Sequence, residues 1–181
     1  MIHTLSHYSL IAFVATISIL SPTAEASQVA RWDFGQEETT PITAHKGVQR
    51  DQAGPVAPEF PDFSTNNTAV RLDGQGARFT LDDPGPNSPY DFTNGDSITL
   101  EAWVKVESLR DGQNMYVIGK GRTGSPHFAK DNQNWALRVV GAKGQARLSF
   151  LFATPKPADA KHWHRWTSAH GFDIITGWHH I

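Results

Sequence analysis

Short runs of alternating apolar and polar residues dominate the chain, and no stretch of ten or more residues holds a helical stripe. Residues 97–106 (SITLEAWVKV) are the clearest case. Ile98, Leu100, Ala102, Val104 and Val106 fall on one side of an extended backbone, and Thr99, Glu101, Trp103 and Lys105 on the other. Residues 29–34, 69–73, 77–81, 114–120, 135–140, 146–153, 172–176 and 177–181 read as further strands. Between them lie connections rich in Gly, Pro, Asn and Asp. Residues 35–68, with Pro41, Pro55, Pro58 and Pro61, read as a long irregular excursion. Residues 82–96 read as a polar loop, and residues 154–171 as a second long loop. Many short strands without helices predict an all-β sandwich or jelly roll.

The N-terminus breaks this pattern. Residues 10–20 (LIAFVATISIL) form an uncharged apolar run, ended by Ser21-Pro22 and followed by Ala24-Glu25-Ala26. Such a run is too short to span a bilayer, which takes about 20 apolar residues. The small residues after it match a signal-peptidase site, so residues 1–26 are expected to be a secretory signal peptide cleaved after Ala26. The n-region lacks Lys and Arg, a departure from the usual pattern. Residues 27–181 then make one domain, large enough for a core without staples. The formal net charge of the whole chain is −2, which does not suit nucleic acid or an anionic membrane surface. Cysteine is absent, so an exported domain of this composition relies on its core rather than on disulfides. A secreted, periplasmic or cell-surface location is expected, with no transmembrane segment after cleavage.

Several motifs carry chemistry. Gly119-Lys120-Gly121-Arg122-Thr123-Gly124 matches a phosphate-binding GxGxxG, but a polar loop rather than a helix follows, so a glycine-rich turn is the better account. His162, Trp163, His164, Trp166 and His170 crowd the loop at 154–171. If the backbone there is extended, His162 and His164 share a face, the beginning of a zinc or copper site, yet no acid or thiol has matching spacing. Exposed aromatic faces stack on sugar rings and peptides, which makes Trp163, Trp166 and His164 the candidate ligand-binding residues. Asp82, Asp83, Asp91 and Asp96 form an oxygen-rich loop with Asn87 and Asn94. Ca²⁺ takes six to eight oxygen ligands, so these four carboxylates are the candidate calcium ligands. The alternative is a solvated acidic loop of turn formers. Catalysis finds no support: Glu101 has no acid at positions 99 or 103, and no nucleophile motif is present. Asn66-Asn67-Thr68 fits a glycosylation sequon, relevant only in a eukaryotic host.

Trp32-Asp33-Phe34, Arg71-Leu72-Asp73-Gly74, residues 97–104 with Trp103 and Val104, Gly119-Lys120-Gly121, residues 135–138 and Trp178-His179-His180 follow one another in an order that resembles the laminin-G-like, concanavalin A-like lectin/glucanase domains. The resemblance covers almost all of residues 27–181. It implies an antiparallel two-sheet jelly-roll sandwich that binds carbohydrate or extracellular protein ligands, often with a Ca²⁺ at its rim. It also implies that Trp178-His179-His180 opens a central strand and is structural. Gln75, Gly76, Ala77 and Arg78 stand where the family usually places an acidic pair, and the Glu-x-Asp-x-x-Glu strand of the catalytic relatives is missing. The family pattern runs on past Trp178-His179-His180, so the jelly roll is expected to be incomplete at the C-terminus, with an open sheet edge.

The expected function is therefore an exported, non-catalytic recognition or adhesion module acting through rim loops, as part of a larger surface or periplasmic protein. A glycoside hydrolase or lyase of the same fold is the enzymatic alternative, and a structural spacer without a ligand is the other. No motif demands a cofactor; Ca²⁺ is the ion carried forward as a candidate.

Overall fold

The computed structural model describes residues 28–34, 41–85, 88–92, 95–121, 135–153 and 163–181. The expected signal peptide at 1–26 lies outside them. All regular structure among the described residues is β, and every sheet is antiparallel. The strands are β1 (Thr43–His45), β2 (Gln49–Ala53), β3 (Thr68–Arg71), β4 (Arg78–Thr80), β5 (Trp103–Val104), β6 (Asn114–Lys120), β7 (Trp135–Ala142), β8 (Gln145–Ala153), β9 (Trp163–Asp173) and β10 (His179–His180). A four-stranded sheet in the order β6-β7-β8-β9 is the largest unit. Three two-stranded ladders, β1-β4, β2-β3 and β5-β10, accompany it.

The β7–β8 hairpin sets the register of the large sheet. Its two-residue loop is Lys143-Gly144, with φ of +54° and +77°. Two consecutive left-handed residues match the type I′ geometry whose twist suits flanking strands. Pairing then runs from Ala142 opposite Gln145 to Trp135 opposite Phe152. Because side chains alternate, this register sorts the strands into two faces. One face carries Trp135, Leu137 and Val139 with Phe152, Phe150, Leu148 and Ala146. The other carries Ala136, Arg138 and Val140 with Leu151, Ser149 and Arg147.

The first face holds the core. Val139 and Ala146 are fully buried and cluster with Val106 and Leu109; Met115, Leu148, Phe172, Ile174 and Ile181 pack around them. Burial removes roughly 1.5–3 kcal/mol worth of apolar surface per large side chain from water. Residues 110–113 lie against β7 at Gly141, where the Gly112 N–H donates to the Gly141 carbonyl (2.8 Å) and the Gly141 N–H to the Gln113 carbonyl (3.0 Å). A Cβ at Gly141 would stand 2.1 Å from the Arg110 carbonyl oxygen, so only glycine permits this approach.

Several expectations meet their strands: 114–120 is β6, 135–140 begins β7, and 146–153 lies within β8. Others are corrected. In 97–106 only Trp103–Val104 forms a ladder, paired with His179–His180 and extended by reciprocal bonds between Ala102 and Ile181 at 3.0 and 2.9 Å. The burial alternation still holds, since Ile98, Leu100 and Ala102 are half-buried between exposed Thr99 and Glu101. What is absent among the described residues is a partner strand beside 97–101. Residues 29–34 form no strand either; Phe34 instead stacks on Phe79 at 5.3 Å. The excursion at 35–68 contains β1 and β2, which pair with β4 and β3. The loop expected at 154–171 gives way to β9 from Trp163 onward.

Candidate functional site

β9 runs antiparallel to β8, with Ala153 opposite Trp163, Phe152 opposite His164, and Phe150 opposite Trp166. The candidate ligand residues therefore sit on a strand of the main sheet rather than in a rim loop. The register puts His164 and Trp166 on the core face, beside Phe152 and Phe150. At the β6–β7 side that face is covered: Trp135 is buried, its indole N–H donates to the Tyr90 carbonyl at 2.8 Å, and Phe92 meets its ring edge-on at 5.9 Å. Toward β9 the cover ends. Trp166 is 58% exposed and Phe152 is 38% exposed. Phe150 stacks on Phe152 (5.8 Å), and Phe152 stacks on His164 (4.9 Å). The result is a row of rings in which Phe152, His164 and Trp166 are exposed and Phe150 is half-buried. His162, the proposed start of a metal pair with His164, lies outside the described residues.

The acidic loop is organised by a lysine. Lys120, at the end of β6, extends its ammonium between Asp83 (2.9 Å) and Asp91, and also reaches the Ser88 hydroxyl at 3.3 Å. Its side chain is 15% exposed. The Ser88 N–H donates to the second Asp91 oxygen at 2.8 Å, and the Gly85 N–H to Asp83 at 3.1 Å. Of the four candidate calcium ligands, Asp83 and Asp91 are thus brought together, around an ammonium. Asp82 and Asp96 are exposed, and no group of three His, Cys, Asp or Glu among the described residues could hold a metal. Hydrogen bonding to Lys120 holds both carboxyls below the usual range for Asp. Burial pulls the Lys120 ammonium down, but its bonds to Asp91 and Asp83 outweigh this and leave its pKa raised.

A pH dependence follows. The carboxylates have depressed pKa values in the fold, so their stabilisation is present above about pH 4, the unfolded value, and is lost as pH falls through the folded values. The raised lysine adds stabilisation below about pH 10, lost as pH rises beyond its folded value. A Lys120→Met chain is expected to melt below the parent by a few degrees at neutral pH. That gap should close as acidification carries the pH down through the lowered folded values of Asp83 and Asp91. Melting curves of both chains across pH measure this, and a gap constant from neutral to acid pH contradicts the role given to the triad.

The histidines at the C-terminus have structural partners. His179 stacks on Phe172 at 4.1 Å and bonds the Thr176 hydroxyl at 3.0 Å. His180 stacks on Trp103 at 5.1 Å, and Phe60 and Phe63 meet the same indole edge-on, each at 5.1 Å. Trp103 thus pins the turn at 60–63 to the β5–β10 ladder. In the glycine motif, Gly119 belongs to β6, where a Cβ would stand 2.9 Å from the Ala136 Cβ; residues 122–124 lie outside the described residues. Close packing, not phosphate binding, accounts for that glycine.

Sequence reasoning missed Lys120, Ser88 and the ring partners Phe150 and Phe152. The last two were legible as the apolar side of 146–153, but the exposure of Phe152 was not. No family model, no curated protein and no solved structure matches the chain. No helix among the described residues is long and apolar enough to cross a membrane.

Proposed function

We propose that the chain is an exported, non-catalytic recognition module of the laminin-G-like, concanavalin A-like jelly-roll type, and that it binds carbohydrate on the ring row of β8 and β9. The observation that carries this reading is the exposed alignment of Phe152, His164 and Trp166 at the open end of the core face. Flat aromatic rings, of indole and imidazole as well as phenyl type, match the C–H face that a sugar offers for stacking. The row sits on a hydrogen-bonded sheet, so little ordering is required on binding. The sequence order that resembles the laminin-G-like domains supports the jelly-roll topology and the export of the module. In this reading the ligand meets a strand face, where the expectation had been rim loops.

The test is binding of the purified chain to a panel of neutral oligosaccharides by calorimetry. Trp166→Ala is expected to weaken binding at least tenfold, about 1.4 kcal/mol. Its melting temperature should stay within about 1 °C of the parent, because surface substitutions change stability by less than about 0.5 kcal/mol. Equal affinity of variant and parent, or no binding by the parent to any sugar, defeats the proposal.

A further inference from the structure

The face of the large sheet opposite the ring row presents a different chemistry. Arg138 on β7 lies opposite Ser149 on β8, and Ser149 lies opposite Thr167 on β9. Tyr116 on β6 lies opposite Arg138 on its other side. Arg147 and Arg165 occupy the same face one step to either end of this row, opposite Val140 and Leu151. Three arginines on adjacent strands thus share one face, and the central one is bonded to its row of hydroxyls.

The central one is buried without a counter-ion. Arg138 is 4% exposed, and its Nε donates to the fully buried Ser149 hydroxyl at 3.2 Å. Its Nη2 and the Nε of Arg147 are buried donors with no acceptor among the described residues. The Tyr116 ring lies 5.8 Å from the Arg138 guanidinium carbon. Among the described residues, Arg138, Arg147 and Arg165 take part in no ion pair; the described pairs join Arg31 to Asp33, Arg71 to Glu107, Lys120 to Asp83 and Asp91, and His180 to Glu101. Among the described residues of the sheet, the acid on this face is Asp173, which lies at its far end beside Gln145. Burial lowers the Arg138 pKa and the neighbouring charge of Arg165 lowers it further, outweighing the opposing effect of its contact with the Tyr116 hydroxyl.

A buried, unpaired charge is among the most destabilising features a fold can hold, and replacing it with an apolar side chain of similar length is often neutral or stabilising. Its retention amid like charges therefore calls for an anion. The geometry points to a carboxylate-binding site on this face, in which Arg138 Nη2 and Arg165 grip the carboxylate oxygens while the Ser149 hydroxyl fixes the Arg138 plane. Guanidinium groups bind carboxylates through planar, paired N–H donors, which a ring-stacking site such as the one on β9 does not supply. Tyr116, half exposed above the guanidinium, is the group that has to swing for the ligand to enter.

The experiment is thermal unfolding of the chain in sodium acetate or sodium glucuronate against sodium chloride at matched ionic strength. The parent is expected to gain melting temperature in a saturable way with either carboxylate, as a ligand bound to the folded state must. Arg138→Met is expected to melt at or above the parent in chloride and to lose the carboxylate gain. Arg165→Gln, an exposed change, is expected to keep the parent's melting point in chloride and to need severalfold more carboxylate for the same gain. It keeps the test decisive if Arg138→Met does not fold. Trp166→Ala should respond like the parent, which separates this site from sugar stacking on β9. No gain in the parent, an equal gain in Arg165→Gln, or a gain with sulfate but not with carboxylates overturns the inference.

Discussion

Substitution of Gly141 by alanine is expected to lower the free energy of unfolding by about 3–5 kcal/mol, combining overpacking with the loss of two backbone hydrogen bonds. The added Cβ would stand 2.1 Å from the Arg110 carbonyl oxygen and 2.7 Å from its carbon, both backbone atoms. A flexible side chain could rotate aside; a backbone carbonyl moves only with its chain. The segment 110–113 would have to retreat by more than an ångström. The bonds from the Gly112 N–H and to the Gln113 carbonyl would open together. Leu109, buried in the core one residue before this contact, would be drawn out with it. Thermal or denaturant melting reads the effect as a fall of roughly 10 °C or more. A variant that melts within a degree of the parent shows that residues 110–113 do not pack on β7 in this way.

Val139→Ala is the next largest. Val139 is fully buried at the centre of the cluster with Val106, Leu109 and Ala146. Two carbons are lost, worth about 1.6 kcal/mol in transfer, and the cavity left behind adds to this, for a total near 2–3 kcal/mol. The melting temperature is expected to fall by roughly 5–10 °C. Because Val139 joins the sheet to the 105–110 segment, the variant should also lose hydrogen-exchange protection at Val106 and Leu109 more than at β8. Unchanged protection there would mean that the segment is held by something other than this cluster.

The parts of the fold legible in the sequence are those where burial writes the pattern. In β8, Ala146, Leu148, Phe150 and Phe152 alternate with Arg147 and Ser149, and the strand lies where that alternation puts it. β2 (QRDQA) is almost wholly exposed; backbone hydrogen bonds to β3 hold it, and these leave no trace in side-chain polarity. β9 eluded the pattern for a related reason. Trp163, His164, Arg165 and Trp166 do not alternate in polarity, because an exposed strand imposes no such demand. The site shows the same division. Trp166 and His164 stood out by residue type, whereas Arg138, a charge buried between apolar neighbours, gave no sign in a linear reading. The acidic loop was recognised as a cluster, but the cation that organises it lies 29 residues from Asp91 and belongs to another element.

β9 is an edge of the four-stranded sheet, and its pairing with β8 slips between Gly171 opposite Arg147 and Thr167 opposite Ser149. Inside that slip the Ser168 hydroxyl accepts from the Leu148 N–H at 3.0 Å and donates to the His170 carbonyl at 2.6 Å. A side chain thus takes the place of a backbone acceptor, and the outer rim of the strand is divided into two short stretches. An incoming strand can copy a straight rim but not a broken one. The same irregularity that bends β9 therefore makes it a poor template for another chain, and it leaves the rings at His164 and Trp166 displayed, beside Phe152 of β8, on a strand that resists sticking to its own copies.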